Sequence, residues 1–289
     1  MEEIYSNIVE NIKKNIEFIV VTIVDSSDST PRKSGARMIV NLDRSISGTI
    51  GGGVLEHTAI SDAMEIFKNG ENVLKGYNIG DERVDRVDDA HLGAICGGRV
   101  SLYFEVFKRK DVVYIFGGGH VGQKLAALLD VVEFPYCVVD NRSDFASEKL
   151  FPKARKIYNI EYCDVDNLPI DGKSYCAIMT HGHKYDAICV EKLLESPAKY
   201  IGMIGSLNKV RCNLKVLAMK DVKIDARLYS PIGLCITNSD PAQLAFSVLA
   251  EIFAVQSGKN EILHMRDKFI NKFKNDSEIN EILKEGGLI

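Results

Sequence analysis

Two rhythms of apolar and polar residues divide this chain. Near the start Ile4, Ile8, Val9 and Ile12 recur at helical spacing and predict a short amphipathic helix. "FIVVTIVDSS" and "ARMIVNL" then read as strands, separated by the turn-rich "SSDSTPRKSG". The glycine cluster "SGTIGGGVLEH", Ser47 to His57, leads into a helix carrying Leu55, Ala59, Ile60, Ala63 and Phe67. After "KGYNIG" comes a polar run, "DERVDRVDDAHLGAICGG", and then "RVSLYFEVF", whose alternation predicts a strand. This half is mixed α+β.

"FKRKD" reads as a linker, and beyond it the rhythm changes to alternating strand and helix. Strands are expected over 112–116, 136–140, 156–160, 175–180 and 199–204. Helices are expected from about Gly119, through "DAICVEKLLES" and through "LNKVRCNLKVLAMK". Such alternation implies a parallel sheet with right-handed crossovers. A last helix begins at "SDPAQLAFSVLAEIFAV", with Asp240 as N-cap, Pro241 at the first helical position, and Leu244, Val248 and Ile252 in one stripe. The Lys/Glu-rich tail carries Ile262, Phe269 and Phe273 near helical spacing, which suits a packing helix or a contact in a homodimer. The expected organisation is therefore α/β: a mixed α+β domain over 1–107, a Rossmann-like parallel-sheet domain over 112–257 and a helical tail over 258–289.

Composition narrows the class without naming it. A chain of 289 residues with 46% hydrophobic and 26% charged residues is globular rather than disordered. A formal charge of −4 gives no general basic face, so no nucleic-acid partner is expected. "MEEIYSNIVENIKKN" lacks the layout of a secretory signal, and the apolar run Phe18 to Val24 is too short to cross a bilayer. Seven scattered cysteines with no C-x-x-C pair fit reduced thiols in a cytoplasm.

Five clusters could carry chemistry. In "VYIFGGGHVGQ" a strand runs into Gly117, Gly119, His120 and Gly122 at a helix start, where N–H groups and partial positive charge face an anion. A second strand ends at Asp140, placed to accept from a ribose hydroxyl, while Arg142 leaves room for a 2′-phosphate. Gly51, Gly52 and Gly53 repeat the same physics in the first half, as an anion-receiving helix start or simply a tight turn needing positive φ, with Glu56 in the helix's first turn. Cys96, before two glycines, is placed for sulfur relay or metal contact, or as a buried structural thiol. His181, His183 and Asp186 follow a strand at the carboxyl edge of the sheet, as a ligand-binding turn, a zinc site or a purely structural turn. Ser206 caps the next helix, a further anion site or simply a good cap. A G-x-S-x-G elbow, a P-loop and a zinc-deaminase signature are all missing, and so is a clear acid–base pair for substrate oxidation.

Taken in order, "STPRKSGARMIV", "GTIGGGVLE", "LGAICGG", "IFGGGHVG", "VVDNR", "MTHGHKYD", "YIGMIGS", "SPIGL" and "DPAQLAFSVLAEI" resemble the XdhC/CoxI family over roughly residues 16–255. These are accessory proteins of xanthine dehydrogenase and related molybdenum hydroxylases. The resemblance implies an N-terminal XdhC domain and a C-terminal Rossmann domain. It also implies an accessory rather than a stand-alone catalytic role: binding molybdenum cofactor (molybdopterin or its dinucleotide form), assisting its sulfuration with a cysteine desulfurase, and passing it to the hydroxylase. By motif, Cys96 carries over as the cysteine of Cys-Gly-Gly, and Gly51–Gly53 with Glu56 as Gly-Gly-Gly-x-x-Glu. Gly117, Gly119, Gly122 and Asp140 match the Rossmann element, and His181, His183 and Asp186 match Thr-His-x-His-x-x-Asp. Ala94 stands where methionine is usual, and Asp28 where glycine is expected. Two other readings stand beside this one: an NAD(P)-dependent oxidoreductase using the Rossmann domain, and a non-catalytic bridge between hydroxylase and desulfurase.

Overall fold

The computed structural model describes residues 2–26, 33–79, 84–87, 98–236 and 240–258, and gives only the backbone of residues 84–87, His183 and Lys184. Cys96, Ala94, Asp28 and the tail from residue 259 lie outside the described residues. The chain divides into two compact units between Lys110 and Asp111.

The first unit is one antiparallel sheet with a helix against each face. Its strands are β1 (Phe18–Ser26), β2 (Arg37–Asn41), β3 (Ile46–Gly48), β4 (Val73–Ile79), β5 (Val84–Val87) and β6 (Gly98–Phe107), in the order β3-β2-β1-β6-β4-β5. Its helices are α1 (Glu2–Lys14) and α2 (Gly53–Asn69). Side chains alternate along a strand, so β1 serves both faces. Ile19, Val21 and Ile23 pack in a core with Leu55, Ala59, Ala63 and Ile66 of α2. Phe18 and Val20 join Ile39, with Ile8 of α1 packed over them. The stretch Val73–Ile79 is β4, which its residue pattern does not mark. Only Tyr77 of this strand is buried, and Lys75 and Gly76 break the apolar alternation. Pairing with β6 supplies the strand. Tyr77 also donates to buried Asp62 Oδ2 at 2.5 Å, with Lys75 Nζ 3.1 Å from Oδ1.

The second unit is a wholly parallel sheet of β7 (Val112–Phe116), β8 (Tyr136–Val139), β9 (Lys156–Tyr158), β10 (Ser174–Ile178), β11 (Tyr200–Met203) and β12 (Leu228–Tyr229). Its order is β12-β11-β10-β7-β8-β9, the doubly wound arrangement whose direction reverses between β7 and β10. β7 and β10 are buried at every position, as a sheet covered on both faces requires. Helices α3 (His120–Val131) and α6 (Pro241–Gln256) pack on one face, burying Leu125, Leu129, Val248 and Ile252. On the other, α4 (His183–Glu195) and α5 (Leu207–Met219) bury Cys189, Val190, Leu193 and Leu217. A 3-10 helix, Tyr162–Asn167, makes the crossover from β9 to β10. At two residues β12 is too short to leave a periodic signal; it forms because β11 offers an edge. Asp240 caps α6 as its sequence predicts, accepting from the N–H groups of Ala242 at 2.9 Å and Gln243 at 3.2 Å.

Candidate functional site

The reversal of strand order puts the turn after β7 beside the turn after β10. Gly117 has φ +119°, and a side chain there would collide with the carbonyl of Met179. A Cβ on Gly122 would strike the Gly117 carbonyl oxygen, so the start of α3 lies directly against the end of β7. Gly119, the N-cap of α3, is different: it has ordinary extended backbone and no atom within 4 Å of where a Cβ would sit. The first turn of any helix leaves its N–H groups without intrahelical partners. Those of α3, beginning at His120, therefore adjoin open space at Gly119.

Asp140, just past β8, is fully buried. Its Oδ2 accepts from Gly118 N and Arg142 Nη2, both at 2.8 Å, and its Oδ1 from Arg142 N at 3.0 Å and Nε at 2.9 Å. Burial raises the carboxyl's pKa, but the Arg142 side chain and the two backbone donors outweigh it and hold the group below the usual carboxylate range. A carboxylate offers about four acceptor positions, and here four are filled. The acid expected to take a ribose hydroxyl instead organises the glycine turn from within. Arg142, tied to Asp140, also stacks over Phe145 at 3.7 Å. Next to this pair, Asn141 Oδ1 and Tyr162 Oη are buried without a hydrogen-bond partner among the described residues.

Asp186, in the first turn of α4, is likewise buried and internally paired. Thr180 Oγ1 donates to Oδ1 at 2.6 Å, and Lys209 Nζ forms an ion pair with Oδ2. His181 is exposed, its ring 5.3 Å from that of Tyr185. Asp186 thus faces Thr180 and Lys209 rather than an open ligand position. Among the described residues no group of three His, Cys, Asp or Glu could hold a metal ion. Ser206 caps α5, accepting from Lys209 N at 3.4 Å.

In the first unit Gly51, Gly52 and Gly53 have φ of +131°, +80° and +63°, a run that only glycine adopts cheaply. The donors of this loop turn inward. Glu56 Oε1 accepts from Ile50 N at 3.0 Å, from Gly52 N at 2.8 Å and from Thr49 Oγ1. Partial burial works against ionisation, yet these donors prevail and lower the Glu56 pKa. Glu56 thus takes N–H groups of the loop just before α2, while no side chain caps the helix itself.

A cavity of about 730 Å³ opens at the carboxyl ends of β11 and β12, lined among others by Ser206, Ile232, Leu234, Cys235 and Leu244. Pattern reading did not mark Cys235 or Gly233. The signal for them was the pair of segments "YIGMIGS" and "SPIGL", which are far apart in sequence and share this cavity.

A family model described as the XdhC Rossmann domain matches residues 113–252, and one described as the XdhC and CoxI family matches residues 12–78. The chain belongs to the XdhC/CoxI family. Its XdhC Rossmann domain lies wholly within the parallel-sheet unit. Similar proteins include Escherichia coli (strain K12) uncharacterized protein YqeB, 32% identical over 249 residues, which are 85% of this chain and 44% of that protein. Another is a probable xanthine dehydrogenase subunit of Bacillus subtilis (strain 168), 28% identical over 156 residues, 53% of this chain and 45% of that protein. The chain spans less than half the length of these curated relatives. A crystal structure of a xanthine dehydrogenase from Bacillus halodurans aligns with a TM-score of 0.49 at 20% identity, covering 89% of this chain and 98% of that one. No helix among the described residues is long and apolar enough to cross a membrane.

Proposed function

We propose that this XdhC/CoxI protein is a maturation factor for a xanthine dehydrogenase-type molybdenum hydroxylase. In this reading it binds molybdenum cofactor, assists its sulfuration beside a cysteine desulfurase, and inserts it into the hydroxylase. The observation that carries the reading is family membership in both halves of the chain, with the ordered motifs that accompany it. The same reading places the protein in the cytoplasm, as a homodimer.

The residues of the second unit fit such a cargo. The cofactor is a pterin ending in a phosphate or nucleotide, and it supplies the metal and sulfur chemistry of the hydroxylase. The α3 start suits the phosphate: Gly119 lets it approach the backbone, and the first-turn N–H groups meet its charge. Asp140 and Arg142 act through the turn by fixing Gly118. Cys96 is the residue proposed for sulfur transfer or metal contact. Hydride transfer on NAD(P) draws less support, because the acid expected at the ribose has all its acceptor positions filled.

Expression in a host that makes the cofactor tests the proposal. The purified protein should carry molybdopterin, released and read as its fluorescent oxidation product, and Cys96→Ala should lose hydroxylase activation while remaining folded. Protein purified without molybdopterin, where a known carrier retains it, contradicts the reading. Activation undiminished in Cys96→Ala would reduce the role to a bridge.

A further inference from the structure

We propose that the cavity beside β11 and β12 binds a flat nitrogen heteroaromatic ring, with the Cys235 thiol in its wall. This deepens the cofactor-carrier reading and rests on it for its link to function. Its volume, about 730 Å³, lies within the range of small-molecule sites, and it opens on the sheet edge where ligands of this fold bind.

The lining selects the chemistry. Ile204, Ile232, Leu234 and Leu244 make most of it apolar, while Ser206 and Cys235 add a hydroxyl and a thiol. An aliphatic chain would make no use of the exposed hydroxyl and thiol at the rim, and a sugar would bury its own hydroxyls against four aliphatic side chains. A flat ring with apolar faces and hydrogen-bonding edges meets both demands.

The wall is held in place by buried polar groups. Gly233, at φ +96°, packs so closely on Ser247 that a Cβ would collide with Oγ. Gly233 N donates to Glu251 Oε1 at 2.9 Å, the same oxygen that accepts from Tyr200 Oη at 2.5 Å. Ser247 Oγ donates to Leu234 O at 2.8 Å. Glu251 and Ser247 are both more than nine-tenths buried. A buried carboxylate and hydroxyl thus fix the Gly233–Leu234 backbone and, through it, Cys235.

Cys235 is exposed, as are Cys163 and Cys212, so the protein carries its own controls. Peptide mass spectrometry of the intact protein, pulsed with a maleimide, gives the labelling rate of each thiol. Saturating pterin-6-carboxylate or adenosine 5′-monophosphate should slow Cys235 at least ~5-fold and leave Cys163 and Cys212 unchanged. Leu244→Trp, which fills the cavity, should abolish that ligand-dependent difference. Unchanged Cys235 labelling with both probes overturns the proposal, as does equal slowing at all three thiols. Retention of molybdopterin without protection of Cys235 would remove the ring site and leave the carrier reading standing. Protection without molybdopterin retention would do the reverse.

Discussion

The chain contains two glycine-rich helix starts that look alike in sequence and differ in what glycine does. In Gly51-Gly52-Gly53 the backbone demands it: φ is positive three times running, while Gly52 and Gly53 have open space around them. In Gly117–Gly122 packing demands it at Gly118 and Gly122, where φ is ordinary but carbonyl oxygens leave no room for a Cβ. The carboxylates differ as well. Glu56 returns from its own helix to take the N–H of the N-cap Gly52, whereas Asp140 reaches Gly118, the residue before its N-cap, from just past a neighbouring strand. A glycine cluster before a helix therefore signals an anion-binding geometry, but the anion can be the protein's own.

Substitutions separate the two cases, and the largest effect belongs to packing. Gly122→Ala should lower unfolding stability by about 3 kcal/mol, seen as a shift in denaturant midpoint, since helix and strand must part to admit the methyl. A cost near zero would mean that the α3–β7 approach is not tight. Gly52→Ala has room but the wrong backbone, φ +80° with ψ −174°, a region essentially reserved for glycine, and should cost about 2 kcal/mol. Glu56→Gln should come next, at about 1 kcal/mol near neutral pH, by turning charge-assisted hydrogen bonds into neutral ones. Its pH dependence follows from the lowered Glu56 pKa. Folded-state ionisation stabilises the protein above the unfolded glutamate value of about 4.3 and is lost as pH falls through the folded value. The gap between wild type and Glu56→Gln should thus close below about pH 4; a gap independent of pH would contradict the assignment. Gly119→Ala should cost the least, about 0.5 kcal/mol, because the N-cap preference for glycine over alanine is offset in part by alanine's smaller unfolded-state entropy.

Most of the architecture was legible because it rests on period. The central strands β7 and β8 are continuous apolar runs, and α6 announces itself by Asp240, Pro241 and an apolar stripe. β4 and β12 were not legible, because partner strands rather than their own side chains decide them. The candidate site divides in the same way. Motif order located Gly117–Gly122, Asp140 and Asp186, since types and spacing are sequence properties. That Asp140 and Asp186 spend their oxygens on Arg142, Thr180 and Lys209 depends on side-chain direction, which spacing does not carry. The cavity at Cys235 needs residues from three distant segments to meet, so no single stretch marks it.

In the proposed carrier role the α3 start at Gly119 receives the cofactor's phosphate rather than the α2 start, where Glu56 already holds the Gly52 N–H. Molybdopterin content after purification from a cofactor-making host tests it in one series: wild type, Gly119→Ala and Gly52→Ala, each shown to be folded. Wild type and Gly52→Ala should retain the cofactor alike, and Gly119→Ala, with its stability nearly unchanged, should lose most of it. Full retention by Gly119→Ala with loss in Gly52→Ala would place the phosphate at the α2 start instead.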